Sequence, residues 1–247
     1  MNVGQLALLA AAGFAAGAVN AVAGGGSLLT FPVLLAVGVP SVAANVTNLV
    51  ALVPAYASGS GAYRRELAGQ GRRIRDLGTT SALGAVAGAA ILLVASQSAF
   101  RATVPFLILG ACALLAAQPV LARAVARRHG NRHHGLHAAV LAATVYGGYF
   151  GAGLGIVLLA ALGAFLEDEL HRLNALKGVI SLVVSVAAAV VVGIFGPVRW
   201  GLAVLIAVTG IAGAWLGVGL ARRLDPEVLR WGVVAYGVAA VIWLLVT

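Results

Sequence analysis

Charge is what this chain has least of. Of its 247 residues, 9% are charged and only seven are acidic. A soluble domain carries roughly 25% charged residues, so that class is excluded. There is no charged residue at all from Met1 to Tyr63, and further uncharged runs cover 77–100, 102–122, 138–166, 178–198, 200–221 and 231–247. A helix crossing a hydrocarbon core about 30 Å thick needs about 20 such residues. In lipid only helices and closed barrels satisfy their own backbone, and these runs are continuously apolar rather than alternating. With a mean hydropathy of +1.03, the chain reads as a polytopic helical membrane protein. Cysteine and methionine are nearly absent too, at one each. Cys112 lies inside an apolar span, so it carries no disulfide framework and no information on redox compartment.

What charge there is has one sign and one place. Fifteen of the sixteen basic residues are arginine, and the net charge is +9. Arg64, Arg65, Arg72, Arg73 and Arg75 form one cluster, and Arg123, Arg127, Arg128 and Arg132 another. Clusters that border apolar spans mark cytoplasmic loops under the positive-inside rule. No soluble domain is present to offer this charge to nucleic acid. An amino-terminal signal peptide is not expected: Ala21-Val22-Ala23 resembles a cleavage site, but no Lys or Arg precedes the apolar run.

Apolar helices are expected at about 4–22, 27–38, 42–62, 77–96, 101–121, 135–149, 154–166, 173–195, 200–221 and 227–246, five in each half. The segments 27–38 and 154–166 are too short to cross, since a 13-residue helix rises only about 20 Å. Each follows a glycine-rich break. The first is AGGGSLLTFP (Ala23 to Pro32) and the second FGAGLGIVLL (Phe150 to Leu159), with Gly24 and Gly26 answered by Gly151 and Gly153, 127 residues on. Paired, interrupted hydrophobic segments at corresponding places in two halves point to the substrate site of a secondary transporter. The expected organisation is a first repeat over 1–122, a basic cytoplasmic linker over 123–134 and a second repeat over 135–247. If the short segments carry the chain across, the second repeat is inverted and Arg222-Arg223 falls inside; if they dip and return, the halves are parallel. The arginine distribution favours inversion. The fold expected is therefore all-α, with two related halves as inverted repeats, eight full spans and two short broken or re-entrant helices.

The stretch GFAAGAVNAVAGGGSLLTFPVLLAVGVPSVAANVTNLVA (13–51) resembles the amino-terminal signature of the sulfite exporter TauE/SafE family. Pro32, Pro40, Asn45 and Thr47 stand where that pattern has proline, proline and small polar residues. The segment YGGYFGAGLGIVLLAALGAF (146–165) resembles its degenerate second copy, and the likeness covers essentially the whole chain. It implies an inner-membrane transporter for sulfite, sulfonates or related sulfur-containing anions. The chain departs from a symmetric repeat by Lys177 opposite Asn48 and by the lack of a proline opposite Pro32.

Substrate-binding residues are expected around the breaks. Gly24, Gly25 and Gly26 let the backbone leave helical geometry, and the helix beginning near Ser27 offers unpaired N–H donors and a positive dipole end to an oxyanion. Ser27 caps that start or donates to the ligand; the alternative is that the glycines serve close helix packing. Gly151 and Gly153 form the second copy. Asn45, Thr47, Asn48 and Asn174 start the following helices, as cavity groups or as interhelical hydrogen-bonders. Lys177, the only lysine, either attracts the anion or snorkels to the interface.

The carboxylates Glu66, Asp76, Glu167, Asp168, Glu169, Asp225 and Glu227 all fall at segment ends, none where a buried proton or sodium site needs one. Export of a monovalent anion from a negative interior releases about 2.3 kcal/mol per 100 mV, so potential-driven efflux is expected, with Glu66 or Glu167 as fallback proton carriers. His129, His133, His134 and His137 lie in the arginine-rich loop without cysteine or carboxylate, so no metal site and no cofactor are expected. The partners expected are a small anion and the lipid bilayer, with a homodimer as an allowed assembly. The competing functions are a permease for another small anion, a carboxylate or a metal ion, and a membrane-embedded enzyme. A metal path would want carboxylate, Met or Cys ligands. Ser58-Gly59-Ser60-Gly61 only faintly resembles an intramembrane serine protease, and no histidine is buried in a span to act as base.

Overall fold

In a computed structural model the chain is described for residues 1–22, 25–61, 66–126, 135–221 and 226–246. Among these residues it is helical without strands, in eleven helices: α1 (Val3–Val22), α2 (Ser27–Ala36), α3 (Ser41–Ala51), α4 (Val53–Gly61), α5 (Gly71–Val94), α6 (Gln97–Ala126), α7 (Leu136–Tyr149), α8 (Leu154–Phe165), α9 (Leu170–Phe195), α10 (Trp200–Ala221) and α11 (Pro226–Val246). All ten apolar segments are there. The eleventh helix arises because the segment 42–62 is split at Leu52. Pro54 is the cause: it lacks the N–H that would bond to the Val50 carbonyl, and its ring crowds that carbonyl.

Four helices among the described residues are long and apolar enough to cross a membrane, within α1, α5, α6 and α9. That is fewer than the eight full spans expected. α7 has 14 residues, about 21 Å of rise, and falls short on its own. Large apolar side chains such as Val94, Phe106, Phe195, Trp215 and Leu245 are exposed on the outer helix faces, as a lipid solvent allows. The family of long apolar helices makes this a multi-pass membrane protein.

Glycine sets the tightest helix contacts. α1 packs on α10, and α5 on α7. A Cβ on Gly17 would fall onto the Gly210 carbonyl, and one on Gly213 onto the Phe14 carbonyl. In the other pair, a Cβ on Gly88 would strike the Val145 carbonyl and one on Gly148 the Ala85 carbonyl. Small residues let backbones touch where lipid provides no hydrophobic drive for association. The pairing is reciprocal: the first helix of each half packs on the fourth segment of the other. α6 and α11, the last helix of each half, also pack together.

The helix connections define two ends. Val37–Pro40, between α2 and α3, line an open cleft with Met1 and with Val198–Leu202 before and within α10. Gln97, opening α6, accepts from Ser41 Oγ (3.0 Å) and the Val42 N–H (3.1 Å) at the same end. At the other, arginine-rich end, a Cβ on Gly135 would meet the Phe165 ring, which places the start of α7 beside the end of α8. α2 thus returns the chain to the end where α1 begins rather than carrying it across, and α8 does the same for α7. The two helix pairs are hairpins entering from opposite ends. Arg222 and Arg223 lie outside the described residues.

A polar clamp closes the arginine-rich end. Asp168, between α8 and α9, bonds to Arg73 of α5 (2.5 Å) and to Arg172 of α9 (3.0 Å). Gln70 Nε2 donates to the Arg172 carbonyl at 3.1 Å. Burial alone would raise the Asp168 carboxyl, but the Arg73 hydrogen bond, the Glu169 N–H and the two guanidinium charges outweigh it and hold it below the usual carboxylate range.

Candidate functional site

α2 has 10 residues and α8 has 12, rises of about 15 and 18 Å. They run to opposite ends, so both breaks lie near half depth of a core about 30 Å thick. Both also rest on one turn of α6. A Cβ on Gly25 would touch Leu115 at 3.6 Å, and one on Gly153 would touch Ala111 at 3.7 Å. Between the breaks is a small internal cavity lined by Ser27, Leu49, Leu52, Tyr56, Gly147, Gly151, Leu154 and Ser185. It has room for about one water molecule, so the site is tightly closed in this state.

The two breaks are built differently. Gly151 (φ +80°) and Gly153 (φ +73°) are left-handed, a conformation glycine adopts without the Cβ penalty. Gly153 turns the chain directly into α8. The Tyr146 hydroxyl pins the loop between them by donating to the Ala152 carbonyl at 2.5 Å. The first break uses glycine for space. Gly26 has ordinary right-handed angles (φ −55°, ψ −36°), and a Cβ there would come 2.7 Å from the Ala16 carbonyl of α1. Gly25 is not left-handed either, and Gly24 lies outside the described residues. The expectation that these glycines let the backbone leave helical geometry is therefore corrected at Gly26, where the alternative, close helix packing, is the reason for glycine.

Ser27 is the first residue of α2, and no side chain caps that helix. Its expected capping role is replaced by a different one. Asn48 Nδ2 donates to Ser27 Oγ (3.2 Å), while Thr30 Oγ1 donates to Asn48 Oδ1 at 2.5 Å. Asn48 thus ties α3 to the first turn of α2. Asn45, Thr47 and Asn48 lie inside α3 and are fully buried, one to two turns beyond the helix start expected for them. Asn45 Nδ2 donates to the Tyr149 carbonyl at the end of α7 (2.7 Å), leaving its buried Oδ1 without a partner. Thr47 is turned away from the breaks, since its hydroxyl accepts from the Arg199 N–H (3.0 Å) ahead of α10.

In the second half the equivalent of Asn48 is Lys177. Its aliphatic stem lies over the first turn of α8, 3.6 Å from where a Gly155 Cβ would be. Its ammonium donates to Asn174 Oδ1 at 3.1 Å, and no carboxylate pairs with it among the described residues. The geometry brings together Gly25, Gly26, Ser27 and Asn48 on one side and Gly151, Gly153, Asn174 and Lys177 on the other. Tyr56 and Ser185, which line the cavity, went unnoticed in the sequence because isolated hydroxyls in apolar helices carry no motif. Of the fallback acids, Glu167 is exposed and Glu66 is half-buried with one carboxylate oxygen unpartnered. Of the four loop histidines, His137 contacts Thr80 Oγ1 at 2.8 Å; the other three lie outside the described residues. No group of His, Cys, Asp and Glu able to hold a metal occurs among the described residues.

The sequence pattern of the family described as "Sulfite exporter TauE/SafE" matches residues 9–244. The chain belongs to that family. It is 26% identical over 230 residues to a "Probable membrane transporter protein" of Haemophilus influenzae, covering 93% of this chain and 90% of the relative. It is also 26% identical over 246 residues to "Probable membrane transporter protein ORF9" of a Sinorhizobium species, covering 97% and 92%. No solved structure matches the chain. With the family and both relatives in view, the protein is a membrane transporter rather than an enzyme.

Proposed function

We propose that this member of the TauE/SafE family is a secondary transporter that exports a small sulfur-containing anion, of the sulfite or sulfonate class, across the inner membrane by alternating access. The observation that carries the reading is the meeting of both helix breaks at one closed cavity, with Lys177, a cation with no carboxylate partner among the described residues, against the first turn of the helix that leaves the second break. The start of α8 adds the positive end of its dipole, and the ammonium adds a full charge. An anion is the complement of both. The family match supports the sulfur-oxyanion class.

In this reading the two halves are inverted repeats, not the parallel ones expected of returning short helices, because each hairpin is followed by three crossing segments, an odd number; the hairpins that enter from opposite ends and the reciprocal packing of α1 on α10 and α5 on α7 support it. The arginine-rich end faces the cytoplasm. There the Asp168 clamp joins the first turn of α5 in the first half to the loop before α9 in the second and closes the path on that side. Rocking the halves breaks the clamp and opens the cavity inward. Efflux is driven by the membrane potential, at about 2.3 kcal/mol per 100 mV for a monovalent anion.

Counterflow of labelled sulfite, sulfoacetate and sulfate into proteoliposomes tests this, with Gly25→Leu and Lys177→Gln beside the wild type. Both variants are expected to lose at least about tenfold in rate, Lys177→Gln by the loss of one charge-assisted contact and Gly25→Leu by overpacking against Leu115 and Val233. Unaltered counterflow in both places the site elsewhere, and flux that tracks an imposed proton gradient without moving charge refutes potential-driven export.

A further inference from the structure

Two serines on α9 are buried in a way that the rest of the fold does not require. Ser181 is 2% exposed and its hydroxyl has no hydrogen-bond partner. Ser185, one turn on, is 6% exposed and lines the cavity between the breaks. A serine or threonine inside a membrane helix ordinarily returns its proton to the carbonyl one turn back. This chain follows that habit elsewhere: Ser81 donates to the Leu77 carbonyl (2.6 Å) and Thr209 to the Leu205 carbonyl (2.8 Å). Ser181 and Ser185 do not, and a buried hydroxyl left unpaired carries a desolvation cost.

Their spacing supplies the reason. Lys177, Ser181 and Ser185 recur every four residues, which puts them on one face of α9 with about 6 Å of rise between neighbours. The two ends of this row are fixed by contacts: Lys177 lies against the first turn of α8, and Ser185 shares the cavity with Gly151 and Leu154. Ser181 is between them, on the same side. The row therefore starts at the lone ammonium nearer the arginine-rich end and finishes in the cavity.

We propose that Ser181 and Ser185 are the hydroxyl donors that take a small oxyanion from Lys177 into the central cavity, and that they set its selectivity for oxyanions over halide. This rests on the anion-exporter reading above. An anion with several oxygens accepts from two donors a helical turn apart, whereas a halide presents a single centre and gains less from the second. The row holds hydrogen-bond donors and one cation and no acid, so it complements an anion along its whole length.

Uptake of labelled sulfite into proteoliposomes, with unlabelled sulfate, methanesulfonate and chloride as competitors, tests this on the full chain. Ser181→Ala and Ser185→Ala are each expected to raise KM for sulfite about tenfold, with maximal rate within twofold of wild type, because each removes one donor to a charged group. Both should narrow the preference for sulfite over chloride. Ser81→Ala, whose hydroxyl is engaged by its own helix, serves as the control and should leave KM unchanged. Wild-type KM and selectivity in both α9 variants, with Lys177→Gln still slowed at least about tenfold, overturns the proposal and leaves the anion site standing. A wild type that takes up none of these anions, or a Lys177→Gln variant as active as wild type, overturns the anion reading and this proposal with it. A fall in maximal rate at constant KM shows that the serines serve packing or motion instead, and also overturns it.

Discussion

Replacing Gly153 by alanine separates the two purposes that glycine serves at the breaks. Gly153 has φ +73°, and a Cβ there would find only ordinary contact with Ala111 at 3.7 Å. Space is available and the only obstacle is backbone conformation. A non-glycine residue held left-handed costs about 1–2 kcal/mol. For a chain of this size each kcal/mol corresponds to about 2–4 °C in Tm, so Gly153→Ala should lower Tm by about 2–8 °C. Gly25→Ala is the matched control. Gly25 is not left-handed, and its Cβ would touch Leu115 at 3.6 Å and Val233 at 3.8 Å. Alanine there also restricts the unfolded chain, worth up to about 1 kcal/mol in favour of the fold, so its Tm should stay level or rise. Gly153→Asn should recover part of the loss, since asparagine tolerates the left-handed region. The assay is thermal unfolding of purified protein in one detergent, followed by tryptophan fluorescence. A Gly153→Ala protein as stable as wild type, or one more stable than Gly25→Ala, would refute the distinction drawn between the breaks.

Three further outcomes follow from the same contacts. Because the Asp168 carboxyl is held below its ordinary range, its clamp contributes stability above the unfolded carboxylate value of about 3.9 and loses it as pH falls through the folded value. Asp168→Asn should therefore lower Tm at pH 7, and the gap to wild type should close toward pH 3. A gap independent of pH would refute the charge as its source. Gly17→Ala and Gly213→Ala, each driving a Cβ onto a carbonyl across the α1–α10 contact, should cost about 1–3 kcal/mol by overpacking. Gly110→Ala, with open space around it inside α6, should hold or gain up to about 1 kcal/mol in the same unfolding assay. Asn48→Ala strands the buried Ser27 hydroxyl and leaves Thr30 only its longer bond to the Gly26 carbonyl, and should cost about 1–3 kcal/mol, measurable by denaturant unfolding in mixed micelles.

The helices were legible because lipid demands long apolar runs and this chain keeps its charge out of them. Hence α5, α6 and α9 fall close to where uncharged stretches place them. The split at Leu52 was not legible, since Pro54 causes it but Pro105 and Pro119 sit inside an unbroken α6. What periodicity and charge did not reveal is the return of α2 and α8 to their starting ends. A short apolar helix has the same composition whether it crosses or folds back, and the arginines that would decide between those courses, Arg222 and Arg223, lie far along the chain from either hairpin. The candidate site was legible where glycine marks it and silent where hydroxyls do. Gly151 and Gly153 announce a backbone that cannot stay helical, but Ser185 looks like any small residue that eases helix packing.

The halves differ most where they ought to agree. Asn48 and Lys177 face the first turns of α2 and α8, one from each half, yet one is a neutral hydrogen-bonder and the other a cation. At the first break Asn48 is saturated by Ser27 and Thr30, so that helix start is locked by protein groups. At the second the ammonium has only Asn174 among the described residues, the serine of the first break is replaced by Leu154, and left-handed glycines turn the chain. A symmetric site would hold its ligand equally from both sides. This one sets an internally satisfied hairpin against a charged one that turns on two left-handed glycines, whose backbone moves most freely. The second hairpin is thus the element expected to respond to the anion, with the first as the wall it works against. Asn48→Lys, which restores formal symmetry, tests this division: it should break the Ser27–Thr30 network and slow counterflow rather than add a second productive cation. Faster sulfite counterflow in that variant would show that the asymmetry has no part in transport.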